Sequence, residues 1–258
     1  VLLNPNQLKI CLISDTHEEH KWRSHPLGSV YDKLLEEDEF DILVAAGDID
    51  SSTLGATKLL EKYENKPILY LAGNHEFYYN SLNILNTKFR KLAEEHENFI
   101  FFEDGQHFHY EGIDFIGGTN WPAIPKSFQL EVKYNIADYN YILHHKVDDW
   151  SLKETFDNNI RGLLEGNKYN KLVGLSHFLP CWEVVDPKWM HPMYKNLNNY
   201  FVSPIPPELL QRFDYWLFGH THDQTQVNHL NCKMIANPRG YPHENQVPWE
   251  PLLLNINI

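Results

Sequence analysis

The chain reads as an α/β protein, with sheets inside and helices outside, and three observations carry that reading. Five near-continuous apolar runs, at residues 8–14, 41–47, 67–73, 171–176 and 214–219, each end in glycine or serine. Hydrophobicity that is continuous rather than alternating is what a strand covered on both faces requires. The stretches between the runs are long enough to hold crossover helices, at 52–64, 82–97 and 147–166. Finally, 258 residues with 42% apolar and 22% charged side chains describe an ordinary globular chain that can stand without disulfide staples.

The elements follow in chain order. The first three runs are buried strands, and the first two helices lie after the second and third of them. Three shorter strands come next, at 99–102, 107–110 and 113–118, with Asp104-Gly105 and Glu111-Gly112 as hairpin turn signals. The third helix gathers Val147, Trp150, Leu152, Phe156, Ile160, Leu163 and Leu164 on one face, opposed by Asp148, Asp149, Lys153 and Asp157. Strands at 224–229, 233–236 and 252–257 close the chain. Two stretches escape this grammar, 121–146 and 180–207, both rich in Trp, Tyr, Pro and His. They read as loop or cap-like insertions over one edge of a single domain spanning 1–258, where recognition usually sits.

Charge and composition exclude several classes. The net charge of −13 repels polyanions, so long nucleic acid and anionic membrane surfaces are disfavoured as partners. The longest apolar stretches, at 42–46 and 99–102, fall far short of the roughly 18 residues of a membrane span. Cys11, Cys181 and Cys232 form no Cys-x-x-Cys pair and read as reduced, buried thiols. The N-terminal residues carry no secretory pattern, which makes a cytoplasmic location the expectation. Histidine is the outlier: 15 in 258 residues is about 6%, against roughly 2% in ordinary usage.

The chemistry sits just beyond the apolar runs. After the first comes Asp15-Thr16-His17, after the second Asp48, after the third Asn74-His75, after the fourth His177, and after the fifth His220-Thr221-His222. If the strands are parallel neighbours, these residues share the edge where open α/β proteins place ligands. The pairs Asp15/His17 and His220/His222 are two apart, so at a strand end both members can face one side. Gly47, Gly73 and Gly219 precede Asp48, Asn74 and His220, removing side chains where the backbone turns toward a crowded centre. Imidazole nitrogen with carboxylate and amide oxygen, and no thiolate, suits Mn, Fe, Zn or Co better than calcium or a structural zinc cage. Two ions suit this donor set better than one.

In order and spacing, Asp15-x-His17, Gly47-Asp48, Gly73-Asn74-His75-Glu76, His177 and Gly219-His220-x-His222 resemble the complete signature of the calcineurin-like metallophosphoesterase superfamily, over residues 15 to 222. Asn237-Pro238-Arg239-Gly240-Tyr241 and Ala137-Asp138-Tyr139 are similar to segments of uncharacterised bacterial members. The resemblance implies a four-layer αββα sandwich, two packed mixed β-sheets flanked by helices. It implies hydrolysis of a phosphomonoester or phosphodiester of a small substrate. It also implies two divalent transition-metal ions, manganese foremost, with iron, zinc or cobalt as alternatives. One ion would take Asp15, His17 and His222, the other Asn74, His177 and His220, with Asp48 bridging. Two such ions lower the pKa of a shared water toward about 7 and supply a bridging hydroxide as nucleophile. His75, beside Asn74 but outside the ligand pattern, is the expected general acid, so Asp48 and His75 are the expected catalytic pair. Ions contributing +4 against −2 from Asp15 and Asp48 would also let an acidic protein take an anionic substrate.

Further expectations concern the surroundings. Asn74 is also expected to touch substrate, as are Arg239, by a bidentate phosphate contact, and Trp121, within an aromatic wall drawn from Tyr139, Trp182, Trp189 and Tyr200. For these, an ordinary ion pair or core packing is the competing reading. Among the ten remaining histidines, His20 and His145 are placed to reach the site from loops, and others such as His25 are expected in surface or core roles. Glu76 and Asp50 are candidates for orienting ligands. Two other functions compete: a nuclease of the same superfamily, against which the acidic charge argues, and a metal-binding interaction scaffold that has lost catalysis, against which the intact His75 argues. Oligomeric state is left open.

Overall fold

Two β-sheets lie face to face and each is backed by helices, an α/β architecture of four layers. The computed structural model describes residues 7–20, 28–244 and 248–258. In chain order the elements are β1 (Gln7–Ile13), β2 (Ile42–Ala46), α1 (Leu54–Lys62), β3 (Ile68–Leu71), α2 (Leu82–Glu95), β4 (Phe99–Phe101), β5 (Asp104–Tyr110) and β6 (Ile113–Gly118). They continue with α3 (Gln129–Asn135), α4 (Asp138–Tyr141), α5 (Ser151–Leu164), β7 (Leu172–Ser176), α6 (Asn198–Phe201), α7 (Pro207–Leu210), β8 (Tyr215–Phe218), β9 (Thr225–His229), β10 (Cys232–Ala236) and β11 (Leu252–Asn257).

The first sheet has the order β11-β1-β2-β3-β4 and the second β5-β6-β7-β8-β10-β9. Strands β1 to β4 are mutually parallel, as are β6, β7, β8 and β10, while β11, β5 and β9 run antiparallel at the edges. The inner faces meet in one apolar layer, with Leu12, Val44 and Leu69 from one sheet and Phe115, Val173 and Leu217 from the other. The outer face of the first sheet packs Cys11, Leu43 and Tyr70 against Leu59 of α1, Leu85 and Phe89 of α2, and residues of the 121–142 segment. That of the second packs Ile116, Trp216 and Met234 against Phe156, Ile160 and Leu164 of α5 and against Val202, Leu209 and Leu210. With both faces covered, the central strands have no solvent side, which is why their sequence does not alternate.

Several expectations change here. The five apolar runs do not share one sheet; three end in the first sheet and two in the second, so the ligand-bearing edge is formed where two sheets meet. Asp104-Gly105 is no hairpin turn. The chain passes between sheets there, and Gly105, at φ 74°, sits at a bulge in β5. Glu111-Gly112 does close the β5–β6 hairpin, with both residues at positive φ. Lys153, expected on the solvent face of α5, is buried along its stem and reaches Asp157 one turn on. The stretches 121–146 and 180–207 carry short helices of their own, α3, α4 and α6. All three cysteines are buried and free, and among the described residues no helix is long and apolar enough to cross a membrane.

Candidate metal centre

The candidate ligands stand at the C-terminal ends of β1, β2, β3, β7 and β8, and two clusters form from them. Asp15, His17 and His222 bring ligand atoms within 4.8 Å of one another, as do Asp48, His177 and His220. Asn74 joins the second cluster, with Oδ1 3.0 Å from Nε2 of His177. Asp48 lies between the two, Oδ2 being 3.8 Å from Nε2 of His17 and 3.4 Å from Nε2 of His177.

Strain in the backbone aims these side chains. Asp15, His17, Asp48, His220 and His222 all adopt left-handed φ values, between 47° and 64°. Such a conformation costs about 1–3 kcal/mol for a residue with a side chain and is retained where the surroundings over-determine it. Here they do. Asp15 donates its amide to Gly47, His17 to the Asp48 carbonyl, and His220 to Oδ1 of Asp15. Gly73 is required by space: a Cβ there would stand 2.1 Å from Oδ1 of Asp48 and 2.6 Å from the His177 ring.

The imidazole orientations are set from behind. Nδ1 of His17 faces Glu19 at 3.0 Å and Nδ1 of His222 faces Glu244 at 2.7 Å. A carboxylate accepts, so each Nδ1 donates and each neutral ring turns a lone pair outward from Nε2. Those two Nε2 atoms face each other at 2.9 Å. Likewise Nδ1 of His177 donates to the Ala46 carbonyl at 2.9 Å, directing Nε2 at the Asn74 oxygen and at Nδ1 of His220, 3.1 Å away. Such facing acceptors repel unless a cation, a proton or a metal ion, lies between them. Oδ2 of Asp15 is buried without a hydrogen-bond partner, which fits the same need.

Electrostatics agrees. Burial opposes charge on His75 and His177, yet the neighbouring Asp48 carboxylate outweighs it and pushes them up to about 9 and about 10. Burial opposes the Asp48 charge too, but His177 and His75 hold it well below the carboxylate range. His17 and His220 are lowered, chiefly by burial. The cluster thus draws positive charge while too closely packed to protonate every ring, the condition that divalent cations relieve.

Glu76 ties the loops together. Its Oε2 accepts from the amides of Asp48 and Gly73, and its Oε1 from Ile49 N and the Tyr70 hydroxyl, all at 2.9 Å. His75 lies beside the clusters with its amide on Oδ1 of Asp48 at 2.9 Å. Its Nδ1 faces Glu19 at 2.9 Å and its Nε2 the Tyr241 hydroxyl at 2.9 Å, while the ring stacks on Tyr78 with centroids 4.3 Å apart. Glu19 is lowered to about 2, its burial outweighed by the two imidazoles that donate to it. Tyr241 arrives because the C-terminal chain runs alongside Ser14, with Gly240 N on the Asp15 carbonyl.

A cavity of about 420 Å³ opens over Asp48, Asn74, His75, His220 and His222. Most of its remaining lining comes from residues 135–138 and 179–201, within the two stretches that sequence analysis set aside, and Tyr78, Thr221, Tyr241 and Glu244 complete it. Trp189 and Tyr200 line it, whereas Trp121, Tyr139 and Trp182 do not. Trp121 packs instead in the core against Phe77 and Phe178. Arg239 is also placed elsewhere: its guanidinium is wholly buried, bound to Glu18 at 2.8 Å and to the Gly28 carbonyl. Arg239 is not among the residues that line the cavity. His20 approaches Glu19 at 3.4 Å, His145 stacks under Tyr139 away from the cavity, and His25 lies outside the described residues. Sequence reasoning missed Glu19, Glu244 and Tyr241 as partners of the site. Glu19 stands two residues past His17, but nothing in the sequence shows where Glu244 folds back.

The family model for calcineurin-like phosphoesterases matches residues 8–224. The chain belongs to that family. Hydrolysis of phosphoric esters is accordingly this metallophosphoesterase's reaction class. It is 28% identical over 243 residues to the protein L509 of Acanthamoeba polyphaga mimivirus, covering 84% of this chain and 85% of that one. It is 25% identical over 210 residues to the 3',5'-cyclic adenosine monophosphate phosphodiesterase CpdA of Haemophilus influenzae, where the match covers 79% of this chain and 62% of the relative's length. Among solved structures, phosphopantetheinyl hydrolase of Mycobacterium tuberculosis superposes with a TM-score of 0.69 at 14% identity, over 95% of both chains. A dimetal phosphatase of Danio rerio superposes at 0.59 with 13% identity, over 97% of this chain and 92% of that one. At such identities the likeness speaks for the fold.

Proposed function

We propose that this phosphoesterase cleaves a phosphomonoester or phosphodiester of a small substrate at a centre of two divalent transition-metal ions, manganese foremost. Asp15, His17 and His222 would hold one ion, Asn74, His177 and His220 the other, with Asp48 shared. The observation that carries this reading is the pair of Nε2 atoms of His17 and His222 facing each other at 2.9 Å while both Nδ1 atoms donate to carboxylates. Bound ions would supply charge for the phosphoryl oxygens and a water acidic enough to attack at neutral pH. The chain supplies the rest. His75 holds a proton beside the scissile bond for the departing alkoxide, and Glu19 fixes its ring. Asn74, in the cavity wall, offers its amide to substrate. Net charge −13 disfavours long nucleic acid.

The test is a screen of the manganese-loaded protein against phosphomonoesters, cyclic and linear nucleotides and bis-p-nitrophenyl phosphate, alongside elemental analysis. Metal-dependent release is expected, with Asp48→Asn losing at least one ion and all turnover. Two bound ions with no ester cleaved would favour the scaffold reading, and Asp48→Asn that keeps both ions would remove Asp48 from the bridge.

A further inference from the structure

The cavity is far larger than a phosphoryl group needs, and its lining is of two kinds. Asp48, Asn74 and His220 line it with polar groups, and Leu179, Trp189, Tyr194, Leu197, Tyr200 and Phe201 with aromatic and aliphatic surface. The apolar wall begins at the centre itself, since the Phe201 ring lies 4.9 Å from that of His220 at an interplanar angle of 30°. Most polar groups along this wall are already engaged. Asp138 accepts from the hydroxyls of Tyr78 at 2.8 Å and Tyr200 at 2.5 Å, so both phenols turn their oxygens inward to protein. Asn198 donates to the Trp189 carbonyl at 2.9 Å.

Away from the histidines His75, His220 and His222, the charged groups of the lining are carboxylates. Besides Asp48, three carboxylates line the cavity, Asp138, Asp186 and Glu244, and among the described residues no lysine or arginine does. None of the three is ion-paired to a lysine or arginine among the described residues; Glu244 faces His222, and Asp186 accepts the Lys188 amide at 2.8 Å. A second anionic group on the substrate would find no lysine or arginine on this wall to pair with among the described residues, and would lie near carboxylates instead. An uncharged ring or branched chain would lose water against aromatic and aliphatic surface.

Resting on the phosphoesterase reading above, we infer that the organic part of the substrate is uncharged and largely apolar, of aryl size or larger, with the phosphoryl group its single anionic feature. Sugar bisphosphates and nucleoside polyphosphates are the class this cavity turns away.

Non-hydrolysable phosphonates separate this inference from the reading beneath it, because they report binding without turnover. Calorimetry of the manganese-loaded protein with methylphosphonate, phenylphosphonate and 1-naphthylphosphonate should show affinity rising by about 10-fold or more across the series, the gain expected from burying an aromatic ring. 4-Carboxyphenylphosphonate, similar in shape but with one more charge, should bind at least about 10-fold more weakly than phenylphosphonate. Leu197→Asp and, at Val185, which also lines the cavity, Val185→Asp should each lose the naphthyl gain, with circular dichroism and manganese content showing that each variant is folded. Equal affinities across the series, or tighter binding of the carboxylate, overturns the inference and leaves the phosphoesterase reading standing. Failure of all four phosphonates to bind overturns both.

Discussion

The Tyr241 hydroxyl lies 2.9 Å from Nε2 of His75, whose other ring nitrogen is held by Glu19. The imidazole is therefore clamped at both ends, and its outward nitrogen meets a phenol before it meets a leaving group. Substituting His75 by Gln should retain metal and lower turnover by about 10²- to 10⁴-fold on alkyl phosphates, with a smaller loss on p-nitrophenyl phosphate, whose leaving group needs no proton. Tyr241→Phe should follow the same leaving-group trend with a lesser loss. Equal losses on both substrates would mean that neither residue handles the proton.

Glu19 holds two rings with one oxygen, Nδ1 of His17 at 3.0 Å and Nδ1 of His75 at 2.9 Å. Its removal should therefore cost metal and turnover together. Glu19→Ala is expected to weaken metal binding by about 10- to 100-fold, the usual effect of deleting a carboxylate behind a ligating histidine. Metal titration followed by elemental analysis measures this, and an unchanged affinity would leave Glu19 to His75 alone.

Glu76 is fully buried and accepts four hydrogen bonds, three from backbone amides. Glu76→Ala strands those donors, each costing about 1–3 kcal/mol when buried unpaired, so stability should fall by at least about 3 kcal/mol. Glu76→Gln turns an amide NH2 toward a pair of donors and should not rescue it. Urea denaturation of the metal-free protein reads the loss directly, and near-normal stability of either variant would contradict the clamp.

Asp104, at the bulge that opens β5, is raised from 3.8 to about 6 by burial and by the neighbouring Glu103. A folded-state pKa above the unfolded one means that ionisation opposes folding, so the penalty is absent below about pH 4, grows to about pH 6 and stays constant above. Asp104→Asn should stabilise the protein by about 1 kcal/mol at pH 7, after allowance for the solvent that reaches the group, and by nothing near pH 4. Paired thermal melts of both proteins across that range supply the measurement, and a constant difference would refute it.

Strands and long helices were legible because burial on two faces writes continuous apolar runs, and burial on one face writes a helical period. The seven candidate ligands were legible because each follows such a run, at residues 15, 17, 48, 74, 177, 220 and 222. What the runs do not encode is how they divide between sheets. Strand order is chosen by packing between elements distant in sequence, so the same five strand ends are compatible with one edge or with the junction of two.

Tertiary structure alone decided the fate of Arg239 and Trp121. A guanidinium beside a phosphate and one buried against Glu18 have the same local sequence, and an indole in a core looks like an indole in a wall. It also decided the left-handed backbone at five candidate ligands, the closure of Tyr241 over His75, and the carboxylates of Glu19 and Glu244 behind His17 and His222. Local residue types dictate which donors a chain can offer and where strands end. Orientation depends on hydrogen bonds between segments up to about 200 residues apart, such as that from His220 N to Asp15, and only the folded chain brings those together.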